Sequence, residues 1–175
     1  ALSLLLKNQS IKIILWRSFV FGVGFYGAGV HWLYVSIHNF GGASPLFAGF
    51  LVFIFACFMA ALFIIPFYIF ARWFSYHTLG VIIALPACWL LGEWIRTWLL
   101  TGFPWLSLGY AHLNTPLTGW APITGVIGIS FILSLTAGVI AEWIWRTEDV
   151  QSKKINLAIA ACACAIFWIV GGSLK

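Results

Sequence analysis

Two ionisable residues interrupt an otherwise apolar stretch of the chain. Glu93 and Arg96 stand three positions apart in Leu90-Leu91-Gly92-Glu93-Trp94-Ile95-Arg96, a spacing that places them on neighbouring positions of one helix face. Charged groups inside a membrane-crossing segment are costly and usually face protein or water, which makes them functional candidates. In one reading Arg96 engages a lipid phosphate or another anionic headgroup while Glu93 orients it. In the other the two form a self-neutralising pair at the membrane interface, worth little on its own. Just beyond them Thr101-Gly102-Phe103-Pro104-Trp105 must end the helix, because Gly102 permits unusual backbone angles and Pro104 forbids helix continuation. Phe103 and Trp105 then lie at headgroup depth, near Tyr110. They are either membrane anchors or the walls of a lipid-facing pocket.

Other residue types with chemical potential are less convincing. His31 and His38 are seven apart and would share a helical face, but no other helix offers a matching pair of histidines to complete a haem or metal site. They read as interfacial histidines, and we expect no metal and no cofactor. Cys57, Cys88, Cys162 and Cys164 form no Cys-x-x-Cys pair and read as small apolar side chains in helix contacts. There is no phosphate-binding Gly-rich loop, no nucleophile elbow and no nucleophile beside a plausible base. The residues alone therefore point to no evident enzyme.

The elements that hold these residues follow from composition. Of 175 residues, 63% are hydrophobic and 7% charged, and the mean hydropathy is +1.04. A soluble domain carries about 25% charged residues, so a water-soluble or disordered chain is excluded. Nine basic residues are scattered without forming a stripe, which excludes a nucleic-acid interface. Five apolar runs approach the ~20 residues that a spanning helix needs: about 16–37, 46–70, 79–100, 120–145 and 155–172. None shows the alternation of a membrane strand, so the fold class predicted is an all-α integral membrane bundle of about five helices. Gly22, Gly24, Gly27 and Gly29 in the first run, and Gly125, Gly128 and Ser130 in the fourth, suit close helix packing.

If the helices alternate, Lys7, Lys12, Arg17, Arg72, Arg146, Lys153 and Lys154 fall on one side, and Arg96 with Lys175 on the other. The positive-inside rule makes the first side cytoplasmic. Three of the four acidic residues, Glu142, Glu148 and Asp149, lie there as well. The segments 38–45 and 102–119, rich in glycine and aromatics, face outward. The chain opens on Ala1-Leu2-Ser3-Leu4-Leu5-Leu6 without an initiator Met and stops at Lys175 after an apolar run, so both ends read as cuts in a longer sequence.

Two segments carry a family resemblance. The run Gly24-Phe25-Tyr26-Gly27-Ala28-Gly29-Val30-His31-Trp32-Leu33-Tyr34-Val35-Ser36-Ile37-His38-Asn39-Phe40-Gly41-Gly42 resembles the first outward helix and loop of the apolipoprotein N-acyltransferases. The run from Glu93-Trp94-Ile95-Arg96 through Thr101-Gly102-Phe103-Pro104-Trp105 to Gly109-Tyr110, Pro116-Leu117, Gly119, Ala121-Pro122 and Gly125-Val126 is similar to that family's main membrane signature. Thr97 stands where the family usually has Gly, and His112 where it often has Gln.

The resemblance implies a bacterial inner-membrane enzyme with a phospholipid acyl donor and a diacylglyceryl apolipoprotein acceptor. An acyl chain passes to the α-amino group of the acceptor's S-diacylglyceryl cysteine, the last step of lipoprotein maturation. Its chemistry runs through a thioester on a Cys, with a Glu base and a Lys that stabilises the oxyanion. Those residues belong to a periplasmic nitrilase-like domain inserted before the family's last helix. The nucleophile there precedes Tyr-Glu, whereas the four cysteines here precede Phe, Trp, Ala and Ala. No catalytic residue is therefore assigned to this chain, which corresponds to roughly the third to seventh of eight helices and is expected to be inactive alone. In this frame Arg96, Glu93, Phe103, Trp105, Tyr110, Trp32 and Tyr34 would line the lipid-access face. A small stand-alone transporter or a lipid-binding accessory protein is the alternative reading.

Overall fold

The computed structural model describes residues 2–77, 79–144 and 151–174, with the side chains of 151–154 and 156 outside that description. Arg146, Glu148, Asp149, Lys175 and the side chains of Lys153 and Lys154, on which the charge pattern draws, thus lie outside the described residues. The described chain is a helical bundle: α1 (Leu2–Leu6), α2 (Ile11–Gly29), α3 (Trp32–Val35), α4 (Pro45–Trp73), α5 (Leu85–Trp98), α6 (Ala121–Ile144) and α7 (Gln151–Ser173). Among the described residues, four stretches are long and apolar enough to cross a membrane: Ile11–Gly29, Pro45–Trp73, Gly80–Thr101 and Pro116–Ile144. A shorter apolar helical stretch, Leu157–Ser173, packs beside them.

Local chemistry explains where these helices begin and end. Ser44 caps α4, accepting a hydrogen bond on Oγ from Phe47 N at 3.4 Å, and Pro45 fills the first helical position, where its missing N–H is no loss. Pro66 sits buried inside α4, as prolines often do in spanning helices whose neighbours compensate the lost bond. The first apolar run differs most from expectation. Its helix starts earlier, at Ile11, and breaks at Val30, after which Trp32–Val35 and a wider-wound turn, Ser36–Phe40, continue in short pieces. The break falls where Leu106 packs so closely on Gly29 that a Cβ there would overlap it. His31 therefore lies in the interruption rather than on a common helix face with His38.

Helix contacts rest on small residues only in part. A methyl on Gly22 would stand 2.9 Å from Ala60 Cβ, so α2 and α4 approach as closely as two backbones allow there. Gly24 and Gly27, by contrast, have nothing within 4 Å of such a methyl. Aromatics fill the middle of the bundle. Phe63 packs at a tilt on Phe67 at 4.6 Å, meets Trp89 edge-on at 5.0 Å and meets Tyr26 at 6.2 Å between ring centroids.

One end of the bundle is tied by polar contacts. Asn8 N donates to Ser75 O at 3.0 Å, Arg17 Nη1 donates to Leu5 O, and Lys7 Nζ pairs with Glu142 Oε2 at 2.6 Å. Glu142 is buried, and its Oε1 has no other partner. Removing only one member of such a pair leaves a buried charge uncompensated. Lys7→Met in the full-length protein is expected to cost about 3 kcal/mol in unfolding from mixed detergent micelles, and the double variant Lys7→Met/Glu142→Leu to recover most of it. Equal losses from the single and double variants would show that the pair acts through packing.

Candidate functional site

At the opposite end of the bundle α5 unwinds in a tight reversal. Leu99–Thr101 form a 3-10 turn in which Leu100 (φ 51°) and Thr101 (φ 74°) are left-handed, and Gly102 follows at φ 84°, ψ 145°. Two left-handed non-glycine residues in succession are uncommon and mark a backbone held by its surroundings. The reversal is closed by Gly102 N donating to Leu99 O at 3.0 Å and Phe103 N donating to Arg96 O at 2.7 Å. Pro104 and a further left-handed residue, Leu106, then lead into a short turn at Leu108–His112.

Glu93 and Arg96 lie directly beneath this reversal. They are 2% and 4% exposed, yet they form no ion pair within 4.0 Å, so mutual neutralisation is not the arrangement adopted. Each has taken other partners. Glu93 Oε1 accepts from Trp89 Nε1 at 2.9 Å and from Leu108 N at 2.8 Å. Arg96 Nη1 donates to Tyr26 Oη at 2.9 Å, and its guanidinium carbon stands 5.4 Å from the centroid of the same ring, a cation–π geometry. Glu93 Oε2 and the Nε and Nη2 of Arg96 are buried without partners. That Nε–Nη2 edge is the fork with which a guanidinium grips carboxylates and phosphates.

The aromatic residues gather around the reversal. Phe103 packs on Phe55 at 5.2 Å and on Trp105 at 5.4 Å, and Trp105 reaches Trp32 of α3 at 6.3 Å. Trp32, Trp105 and Tyr110 remain exposed. Tyr110 and Trp105 rim an apolar groove of about 710 Å³ whose other walls are Phe25, Leu106, Leu108 and Ala111, with Ser107. Arg96, Glu93, Phe103, Trp105, Tyr110 and Trp32 thus belong to one end and one neighbourhood. Tyr34 packs its ring against His38 at 5.5 Å. A second apolar groove of about 780 Å³ lies at the opposite end, where Trp73 and His77 meet Ile83 and Cys88, remote from these residues.

Sequence reasoning missed four participants: Tyr26, Trp89, Phe25 and Ser130. Ser130 Oγ accepts from Gly109 N at 2.8 Å and is fully buried. Tyr26 and Trp89 were legible as aromatics but carried no sign of a polar partner. The histidines turn to local backbone instead. The Nδ1 of His31 lies 2.8 Å from Ala28 O, and that of His38 lies 2.7 Å from Ala43 O. No group of three or more His, Cys, Asp or Glu side chains placed to hold a metal occurs among the described residues.

Known proteins match this chain in sequence. Residues 1–139 match the family model described as the apolipoprotein N-acyltransferase N-terminal domain. The chain is 41% identical over 172 residues to the apolipoprotein N-acyltransferase of Pseudomonas syringae pv. tomato, a match covering 97% of this chain and 33% of that protein. The enzyme of the same name from Pseudomonas putida is also 41% identical, over 97% of this chain and 33% of its own length. That of Coxiella burnetii is 42% identical over 161 residues, 89% of this chain and 32% of the relative. The chain spans about a third of the length of the curated relatives it matches.

Proposed function

Because the chain belongs to the apolipoprotein N-acyltransferase family, we propose that it forms the lipid-holding membrane part of an enzyme that acylates apolipoproteins. The donor is a phospholipid, and the acceptor is the α-amino group of an S-diacylglyceryl cysteine at the start of an apolipoprotein. The reacting residues belong to another part of the full-length protein. In support, Cys88 and Cys164 are buried, and none of the four cysteines stands in the family's nucleophile sequence. The end carrying Lys7, Lys12, Arg17 and Arg72 faces the cytoplasm of a bacterial inner membrane, and the Arg96 end faces the periplasm.

The groove at Trp105 and Tyr110 is the observation that carries this reading. It is apolar, opens at the end where the chain reverses, and has aromatic rims of the kind that settle at headgroup depth. Its volume of about 710 Å³ falls in the range of small-ligand sites and accommodates an acyl chain. Trp32, Phe103, Trp105 and Tyr110 contact the lipid, with Tyr34 on the flank. Arg96 offers its unpartnered Nε–Nη2 edge to the lipid phosphate. Because that edge is closed to solvent, a phosphate reaches it by shifting the reversal at Leu99–Gly102, while the loop beyond Leu106 stays on its Glu93 and Ser130 tethers. Glu93 contributes from beneath.

The test uses the full-length protein in phospholipid vesicles with a diacylglyceryl-cysteine peptide. Wild type is expected to N-acylate the peptide. Ala111→Trp, which fills the groove, is expected to raise KM for the phospholipid about 10-fold, the equivalent of ~1.4 kcal/mol. Absence of acyl transfer by the wild-type protein would overturn the activity. An unchanged KM in Ala111→Trp would remove the groove from the donor site.

A further inference from the structure

The groove has two walls from distant parts of the chain, and one buried carboxylate touches the supports of both. The first wall is Phe25, near the outer end of α2. Its ring meets Trp89 edge-on at 5.9 Å, and Trp89 Nε1 donates to Glu93 Oε1 at 2.9 Å. The second wall is the loop bearing Leu106, Leu108 and Tyr110, whose Leu108 N donates to the same Glu93 oxygen at 2.8 Å. One residue further along the loop, Gly109 N donates to Ser130 Oγ of α6 at 2.8 Å. Both acceptors are buried, Glu93 at 2% and Ser130 at 0% exposure. In a low-dielectric setting, hydrogen bonds to a buried acceptor are strong and geometrically demanding.

We infer that Glu93 is a positioning residue: it fixes the spacing between the α2 wall and the loop wall of the groove, and Ser130 acts as the second tether of that loop. This rests on the reading of the groove as the acyl-donor site. Glu93 does not touch the lipid. Its effect is to hold the walls at acyl-chain width before the donor arrives, so that binding does not have to order them. The Leu100–Leu106 backbone, with left-handed residues at Leu100, Thr101 and Leu106, has no regular helix ladder of its own to do this. The tethers supply the missing constraint. A carboxylate suits the task better than an amide because its charge strengthens both N–H bonds, whereas an amide would bury an unpartnered NH2 where Oε2 now lies.

The experiment compares Glu93→Ala, Glu93→Gln and Ser130→Ala in the full-length enzyme, measuring acyl transfer from phospholipid vesicles and hydrogen exchange by mass spectrometry. Glu93→Ala is expected to raise KM for the phospholipid about 10-fold, the equivalent of ~1.4 kcal/mol, with kcat within about twofold. Exchange should accelerate in the peptide covering 103–112 and stay at wild-type level in α4. Glu93→Gln, which keeps an acceptor oxygen, is expected to recover about half of the KM effect on a logarithmic scale. Ser130→Ala should give a smaller rise in KM with the same local exchange pattern. An active wild type whose KM and loop exchange are both indifferent to Glu93→Ala overturns the inference while leaving the proposed function standing. Acceleration spread over α2 and α4 overturns it too, since Glu93 would then serve the whole core. An inactive wild type instead strikes at the proposed function.

Discussion

Arg96→Met in the full-length enzyme is expected to lower kcat/KM for the phospholipid about 100-fold while leaving the protein at least as stable as wild type. The two halves of this prediction come from the same geometry. Arg96 is 4% exposed and has one direct hydrogen bond, to Tyr26 Oη, with Nε and Nη2 left over. A buried cation with two unpartnered donors is a poor contributor to stability, and an apolar side chain of similar volume is often neutral or stabilising in its place. Selection for stability alone gives no reason to keep it. A phosphate on the Nε–Nη2 edge would supply charge-assisted hydrogen bonds worth about 1.5–3 kcal/mol each, and about 3 kcal/mol lost from transition-state binding is roughly 100-fold in kcat/KM. Arg96→Lys separates charge from shape. A lysine keeps the charge but has no planar fork, so it should restore only part of the activity. Thermal unfolding in detergent and the transfer assay together decide the matter. A stable Arg96→Met enzyme with wild-type turnover would reduce Arg96 to a helix-end residue without a lipid.

The sequence made some of this legible and hid the rest for physical reasons. Hydrophobic runs reveal spanning helices because the bilayer imposes length and apolarity directly, and α4 and α6 lie within a few residues of the runs that predict them. The reversal after α5 was equally visible, since Gly102 and Pro104 act through their own backbones. What a single chain cannot display is a partner far away in sequence. Arg96 and Glu93 suggested each other because they are three residues apart, yet each bonds elsewhere: Arg96 to Tyr26, 70 residues back, and Glu93 to the main chain of Leu108. A backbone N–H leaves no trace in composition, so the Glu93–Leu108 tether had no signal to read. The break at Val30 was hidden similarly, because Leu106 arrives at Gly29 from the far loop. Trp105 and Tyr110 were recognisable as interfacial aromatics. Their groove was not, because its second wall, Phe25, lies about 80 residues earlier.

Gly102→Ala is expected to be the most damaging of the single-methyl changes, costing about 4 kcal/mol from backbone strain and overlap together, whereas Gly125→Ala should cost about 2 kcal/mol from strain alone. Both glycines have positive φ, 84° and 64°, and both therefore charge an L side chain the strain of an uncommon backbone region, about 1–3 kcal/mol. Their surroundings differ. A Cβ on Gly125 meets nothing within 4 Å, whereas one on Gly102 would overlap the carbonyl oxygen of Thr97. That carbonyl belongs to the last turn of α5, one residue beyond Arg96, so relief can come only by opening the reversal. Opening it strains the Phe103 N–Arg96 O bond and shifts Phe103 and Trp105 away from Phe55 and Trp32. Gly102→Ala should therefore lose phospholipid-dependent transfer as well as stability. Gly125→Ala, near the start of α6 where a methyl meets no neighbour, should lose stability with much less effect on transfer. Unfolding in mixed micelles measured beside the transfer assay separates the two effects. Equal stability losses at the two positions would mean that the reversal yields easily and that backbone strain, not the Thr97 contact, fixes glycine at 102.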